Sequence, residues 1–323
     1  MRILKTTADL KTIEKGGVLT IGNFDGVHIG HQEILAAAKR SACQKKIELT
    51  AMTFEPHPVA LLHPEKTPGI LTPLNLKVNL LADLGVDCLV VLKDSRQLLN
   101  LSPQDFVSRF LVENIQPAVV VEGDDFNFGA ARGGSINTLQ NLGAANGFSV
   151  SVIPSKNIVL STGQTVRVSS TIIRYMLEGG HAADAAVALG RPYRLIGKII
   201  SGRGKGKQLG FPTLNMEKPN QVIPAEGVYA GFVEIAQTEN EIYSQKNKIP
   251  AVYSIGQART FGTDFPLLIE AHLLQNKIGD IAGGWMAMDF IERLRSQHKF
   301  KTEKELVAQI ADDCRTAKRI LGT

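Results

Sequence analysis

The stretch Val18-Leu19-Thr20-Ile21-Gly22-Asn23-Phe24-Asp25-Gly26-Val27-His28-Ile29-Gly30-His31 decides the fold of the first half of the chain. Its first four residues, three of them apolar and three of them β-branched, have the composition of a strand buried on both faces. Gly22, Gly26 and Gly30 follow, and glycine lets a backbone turn tightly and approach a ligand. From His31 to Lys46, Ile34, Leu35, Ala38 and Ala42 share one helical stripe. Strand, glycine-rich turn and helix in that order present spare backbone N–H groups and the positive end of a helix dipole to an anion. His28 and His31 are three residues apart, so their imidazoles reach neighbouring phosphate oxygens. A plain strand-to-helix loop with surface histidines accounts for neither the pairing nor the three glycines.

Outward from this turn, strands and helices alternate. The apolar runs 47–54, 88–92, 118–121 and 148–153 read as strands. Helices are expected at 74–84, stopped by Gly85, from Ser102-Pro103 onward, and at 135–146. Alternation of this kind predicts an α/β fold, a doubly wound parallel sheet whose ligands bind beyond the carboxyl ends of its strands. After Ser169 two short helices, 170–178 and 182–189, lead to Gly190-Arg191-Pro192, the expected linker. From Tyr193 the pattern is of short strands, 195–201, 228–235, 251–255 and 267–274, parted by glycine-rich turns. Such a succession predicts a small antiparallel β-barrel. Thr302 with Glu305 reads as a capping box for a last helix that buries Leu306, Ile310, Cys314, Ala317 and Leu321. The domains are therefore expected at 1–188 and 189–323.

The chain has 323 residues, 44% hydrophobic and 21% charged, which excludes a disordered protein and suits two domains. Its 36 Lys and Arg against 31 Asp and Glu leave a mild excess of +5, compatible with a polyphosphate substrate. Cys43, Cys88 and Cys314 are far apart and form no metal-ligand spacing, so reduced thiols and a cytoplasmic setting are expected. No apolar run is long enough for a membrane span, and no membrane partner is expected. A strong nucleic-acid surface interleaves aromatic and basic residues. Only 6% of this chain is aromatic, so no nucleic-acid partner is expected either.

Two features of the second half carry chemistry. Gly202-Arg203-Gly204-Lys205-Gly206-Lys207-Gln208-Leu209-Gly210 is glycine-rich and basic, yet matches neither a Walker A loop nor a dinucleotide fingerprint. In Leu268-Ile269-Glu270-Ala271-His272-Leu273, strand alternation puts Glu270 and His272 on one face and Ile269, Ala271 and Leu273 on the other.

The turn His28-Ile29-Gly30-His31 resembles the HxGH signature of the nucleotidylyltransferase superfamily. Val168-Ser169-Ser170-Thr171-Ile172-Ile173-Arg174 resembles the (I/V)SSTxIR block of bacterial bifunctional riboflavin kinase/FAD synthetases. Gly123-Asp124-Asp125-Phe126-Asn127-Phe128-Gly129 resembles that family's GxDFxFG turn, and Thr53-Phe54-Glu55-Pro56-His57-Pro58 its TFxPHP turn. Phe211-Pro212-Thr213-Leu214-Asn215 after Gly210 resembles the riboflavin kinase motif GFPTAN. Glu270 and His272 match an ExHL strand, and Arg295, Gln297, Lys299 and Phe300 fall where the family has RxExKF.

The resemblance implies two activities: ATP-dependent phosphorylation of riboflavin to FMN, and adenylylation of FMN to FAD with release of pyrophosphate. ATP, riboflavin, FMN and FAD are the implied partners. Mg²⁺ accompanies ATP, and no tightly bound prosthetic group is expected. His28, His31 and Arg174 are the implied catalytic groups of adenylyl transfer. Gly22, Asn23, Phe24, Asp25, Gly26, Gly30, Ser169, Ser170 and Thr171 bind its ATP. Gly202, Lys207 and Gly210 bind phosphate in the kinase, Thr213 and Asn215 hold the metal, and Glu270 is the general base. Phe54, Pro56, His57, Asp125, Phe126, Phe128, Arg295 and Phe300 are implied to border flavin.

The chain departs from the family at Leu214, Ser254, Arg259, Ala282 and Gln297. Leu214, larger than the usual alanine, is expected to crowd a tight turn. The readings that compete are an adenylyltransferase with a catalytically weakened flavin-binding barrel and a nucleotide or nucleic-acid binding module. The oligomeric state is left open.

Overall fold

The computed structural model, which describes residues 1–6, 8–93, 95–244, 247–257, 267–275 and 283–323, carries a six-stranded sheet in its first half. The first ten strands are β1 (Arg2–Leu4), β2 (Val18–Ile21), β3 (Leu49–Phe54), β4 (Cys88–Leu92), β5 (Val119–Gly123), β6 (Asn127–Phe128), β7 (Gly134–Ser135), β8 (Ser149–Ile153), β9 (Asn157–Val159) and β10 (Thr165–Arg167). The main sheet runs β1-β4-β3-β2-β5-β8 with every pair parallel. Both faces are covered, as the apolar runs predict. Leu19, Ile21, Met52, Val90 and Val120 enter one buried cluster; Val18, Ala51, Leu89, Val91 and Val121 enter the other. The helices Ile29–Lys45 and Leu74–Asp83 cover the second face, and Ile136–Ala145 and a π-helical stretch Phe106–Ile115 cover the first. β1 and the β9–β10 hairpin were not expected. They are three residues long and half or more exposed, so their sequences carry little burial pattern.

The second half closes into a barrel of β11 (Tyr193–Ile200), β12 (Thr213–Met216), β13 (Gly227–Ala236), β14 (Ile249–Gln257), β15 (Leu267–Leu273) and β16 (Trp285–Arg295). Its order is β11-β12-β15-β14-β13-β16, all antiparallel. β12 and β16 were not expected. β16 mixes the helix formers Met286, Ala287, Met288, Glu292, Arg293 and Leu294 with the strand formers Trp285, Phe290 and Ile291, so local preference alone does not mark it as a strand. Its Met286, Met288 and Phe290 are fully buried, and Phe290 meets Tyr253 and Tyr229 at 5.0 and 5.3 Å. Arg194, Glu234 and Asp289 form a buried ion cluster, with Arg194 bonded to Asp289 at 2.7 Å and to Glu234 at 2.9 Å.

The last helix, Glu303–Leu321, is capped as expected by Thr302, which accepts from Glu305 N–H at 3.2 Å. The return bond of a full capping box goes elsewhere: Glu305 accepts from Lys301 N–H at 3.0 Å.

By packing, the chain divides into residues 1–68, 72–159 and 164–169, and residues 69–71, 160–163 and 170–323. The helices Ser170–Glu178 and Ala182–Leu189, expected before the linker, thus pack with the barrel. Ile173, Leu177, Ala185, Ala188 and Leu189 are fully or almost fully buried there, and the second helix lies against β11 and β16. A fragment starting at Leu189 discards most of these side chains. Full burial of an Ile, Leu or Met side chain is worth about 1.5–3 kcal/mol. The fragment 170–323 is expected to unfold in urea with a stability at least about 3 kcal/mol above that of 189–323. Equal midpoints for the two would show that the helices contribute nothing to the barrel.

Candidate functional site

In the first unit, β2 and β5 are neighbours whose chain connections leave in opposite directions, β2 toward β3 and β5 toward β8. That is a topological switch point, where a crevice opens beyond the strand ends. The turns after β2, β3 and β5 begin at this same edge, so Gly22–His31, Glu55–Pro58 and Gly123–Gly129 all border it.

The Gly22–His31 turn is strained and tightly held. Phe24 and Val27 sit at φ 46° and 41°, a left-handed region costly for a bulky or β-branched residue. Both are 1% exposed, so packing holds the conformation. A Cβ on Gly22 would come within 3.2 Å of the Phe24 ring. Buried Asp25 accepts from Thr72 N–H at 2.9 Å, and Thr72 Oγ1 accepts from Gly26 N–H at 2.9 Å. Asp25 therefore braces the turn as well as bordering it.

His28 caps the helix Ile29–Lys45, its Nδ1 accepting from His31 N–H at 3.3 Å. In the neutral ring this leaves the proton on Nε2. The His28 and His31 rings stack at 3.7 Å with 15° between planes, and Phe24 meets His31 edge-on at 5.3 Å. Gly30 lies against His28, where a Cβ would come within 3.2 Å of the ring. Asn23 Nδ2 and His57 Nε2 are 3.0 Å apart, and Thr53 Oγ1 donates to the Asn23 carbonyl at 3.1 Å. The structure thus brings together Gly22, Asn23, Phe24, Asp25, Gly26, His28, Gly30, His31 and His57.

The expected flavin-bordering residues separate into different roles. Phe128 is 6% exposed and belongs to the core, 5.4 Å from Phe106 and 5.8 Å from Phe126. It packs beneath the turn that carries it. Phe54 and Phe126 are partly buried against the same cluster. Asp125 is largely exposed and pairs with Arg167 at 2.6 Å. Its neighbour Asp124 is bonded by Ser155, which holds its carboxyl below the ordinary range. Ser169 ends the first unit, and Ser170 and Thr171 open the helix Ser170–Glu178 of the second. In that unit Arg174 Nε donates to the Gly69 carbonyl at 2.7 Å.

In the second unit, β12 and β15 align Thr213 with His272 and Asn215 with Glu270. Alternation sets these side chains on one face; Ile269 and Ala271, on the other, are buried at 1% and 0% exposure. Thr213 Oγ1 donates to Glu270 Oε1 at 3.5 Å. Burial pushes the Glu270 carboxyl up, while that hydrogen bond and the charge of Arg203 pull it back. The Gly202–Gly210 loop folds against the same residues. A Cβ on Gly202 would lie 2.2 Å from the Asn215 amide, and one on Gly206 2.4 Å from the Phe211 carbonyl and 3.3 Å from Thr213 Oγ1. Lys207 lies on the short helix Lys205–Gln208, and Gly210 takes φ 85°. The oxygens of Thr213, Asn215 and Glu270 are hard donors of the kind that suit Mg²⁺.

Leu214 pairs with Ala271 on the opposite face, so it does not crowd this surface. Ser254 and Gln297 compensate one another: Gln297 Nε2 donates to Ser254 Oγ at 2.9 Å. Arg259 and Ala282 lie outside the described residues. Arg295 is held from the last helix. Its guanidinium is committed to buried Asp313 of the last helix at 2.8–3.1 Å and lies over Phe300 at 5.8 Å. It joins the barrel to that helix.

Sequence reasoning missed Thr72, Lys77, Glu122 and Arg203. Two had a signal. Lys77 interrupts the apolar stripe Leu74, Val78 and Leu81, and is buried at 5% exposure, where desolvation lowers its proton affinity and Asp25 and Glu55 raise it. Glu122 ends the valine run Val119 to Val121 and is buried at 2% exposure.

Residues 10–172 match the family model described as FAD synthetase, and residues 189–321 the one described as riboflavin kinase. The bifunctional riboflavin kinase/FMN adenylyltransferase of Escherichia coli K12 is 35% identical over 309 residues, covering 96% of this chain and 94% of that one. The protein of the same name from Bacillus subtilis 168 is 34% identical over 316 residues, with coverage of 96% and 94%. A crystal structure of a Streptococcus pneumoniae protein named as a macrolide-efflux protein is 26% identical, with a TM-score of 0.84 and coverage of 98% and 99%. That name belongs to that protein; among the described residues of this chain no helix is long and apolar enough to cross a membrane. Two family models end to end, and identity above 30% along nearly the full length of curated relatives, establish that the chain belongs to the family of bifunctional riboflavin kinase/FMN adenylyltransferases.

Proposed function

We propose that the two reactions of this family, phosphorylation of riboflavin to FMN and adenylylation of FMN to FAD, run at separate sites in the two halves of the chain. Adenylylation is assigned to residues 1–188 and phosphorylation to 189–323. The observation that carries this reading is the presence of two built polar constellations, each on its own fold: stacked His28 and His31 at a helix start, and Thr213, Asn215 and Glu270 on paired strands.

In adenylyl transfer the FMN phosphate is ionised near neutral pH, so its oxygen attacks the α-phosphorus of ATP without a strong base, and pyrophosphate leaves. The work is positioning and charge stabilisation. The His28 Nε2 proton and the N-terminus of the helix Ile29–Lys45 supply positive character to the phosphates, and His31 stacks beneath. The resemblance adds Ser169, Ser170, Thr171 and Arg174 to the same reaction.

In the kinase the nucleophile is the riboflavin 5′-hydroxyl, a poor one until its proton is removed. Glu270 takes that proton as the oxygen attacks the γ-phosphorus, and ADP leaves. Burial of the carboxyl strengthens it as a base, and Thr213 orients it. Thr213 and Asn215 would hold Mg²⁺, which when bound with ATP offsets phosphate charge. Cys43, Cys88 and Cys314 are free thiols, in keeping with a cytoplasmic setting.

Glu270→Gln keeps size and removes basicity. It is expected to lower FMN formation by about 10²–10⁴-fold while FMN-to-FAD conversion continues; a loss below tenfold removes Glu270 as the base. Because the base works deprotonated and burial raises its pKa, wild-type FMN formation falls on acidification through a value above the usual carboxylate range. An acid limb unchanged in the variant would assign that titration to another group.

His28→Ala with His31→Ala is expected to abolish FAD synthesis and leave riboflavin phosphorylation intact, both read from one chromatogram. Parallel loss of both activities in a folded protein contradicts separate sites.

A further inference from the structure

β2 and β5 pair only at Val18 with Val119 and Leu19 with Val120. The donors of β2 alternate between its two neighbours. Val18 N–H and Gly22 N–H go to the carbonyls of Glu48 and Met52, on the β3 side. Ile21 N–H therefore faces β5, at a level where the ladder has ended. Its acceptor is a side chain: Glu122 Oε1, at 2.5 Å.

Glu122 is 2% exposed, in a strand whose other members before Gly123 are Val119, Val120 and Val121. A fourth valine there would pack equally well, but it would leave a buried N–H unpaired at the mouth of the crevice. The carboxyl stands where a main-chain carbonyl would stand in a continuous sheet. Ile21 is followed directly by Gly22, so the peptide that Glu122 holds is the one from which the histidine turn springs.

We propose that Glu122 is a positioning residue for adenylyl transfer: its carboxyl oxygen replaces the missing strand acceptor of Ile21 and fixes the entry of the Gly22–His31 turn. The proposal rests on the reading of that turn as the ATP site. Burial favours the uncharged acid, against Ile21 N–H and the Thr20 side chain, which favour the carboxylate; the charge of Asp125 adds to the effect of burial. Glutamine is its close mimic, since an amide oxygen accepts the same bond from Ile21 N–H. Methionine matches its length and accepts nothing of comparable strength.

The test uses full-length protein carrying Glu122→Met, Glu122→Gln, or His28→Ala with His31→Ala. FAD formation from FMN is measured across ATP concentrations, and riboflavin phosphorylation in the same preparations reports folding. Misplacement of a binding turn by an ångström costs on the order of 10²-fold. Glu122→Met is expected to lower kcat/KM for ATP in FAD synthesis by about 10–100-fold, with FMN formation unchanged, and Glu122→Gln to restore it to near the wild-type value. Wild-type kinetics in Glu122→Met, equal impairment in both Glu122 variants, or parallel loss of FMN formation in Glu122→Met would each overturn the positioning role. The histidine variant separates the two levels. If it still makes FAD, the turn is not the ATP site and the proposal falls with that reading; if it does not, while Glu122→Met does, only the role of Glu122 fails.

Discussion

Beyond Leu19 and Val120 the chain no longer pairs β2 with β5, and the backbone donors that the parting leaves must be met by something other than a strand. A parallel sheet makes this unavoidable. Its strands point one way, its crossovers leave on both sides, and the place where their direction reverses is a crevice lined with strand and helix ends. Much of the polar detail in the first unit answers that shortage. Glu122 takes the donor of Ile21, Thr72 Oγ1 takes that of Gly26, Asp25 takes that of Thr72, and His28 takes that of His31. The strain at Phe24 and Val27 persists because both side chains are buried. The Gly22–His31 turn is thus set by the sheet beneath it.

The barrel solves a different problem. Its strands close on one another, so its polar groups come from side-chain alternation and not from spare backbone. Thr213, Asn215, Glu270 and His272 share a face because β12 and β15 pair in a register that aligns them. Tyr229, Tyr253 and Phe290 fill the fully buried interior. Gly202 is needed because any side chain there would occupy the place of the Asn215 amide.

What the sequence revealed follows from these two cases. The strands of the parallel sheet were legible because burial on both faces leaves uninterrupted apolar runs, as in Cys88–Leu92. The turn between Gly22 and His31 was legible because close backbone approach demands glycine. The shared face of Glu270 and His272 was legible from the alternation around Glu270. β16 was not, because its Met, Ala, Glu and Arg residues dilute the strand preference of Trp285, Phe290 and Ile291 and leave no clean alternation. The commitment of Arg295 to Asp313, and the pairing of Ser254 with Gln297, depend on residues distant in sequence, and single-residue comparison with a motif cannot register them. Lys77 and Glu122 were readable in principle, as charges set into apolar patterns, but periodicity treats them as interruptions.

In the proposed scheme one chain runs two chemically different attacks on ATP, at the γ-phosphorus in the barrel half and at the α-phosphorus in the parallel-sheet half. Parallel incubations of the wild-type protein with riboflavin, Mg²⁺ and ATP labelled at either the γ- or the α-phosphate test this directly. The γ-label is expected first in FMN and then in FAD, and the α-label in FAD alone. Gamma-label absent from FMN, or α-label absent from FAD, would contradict it.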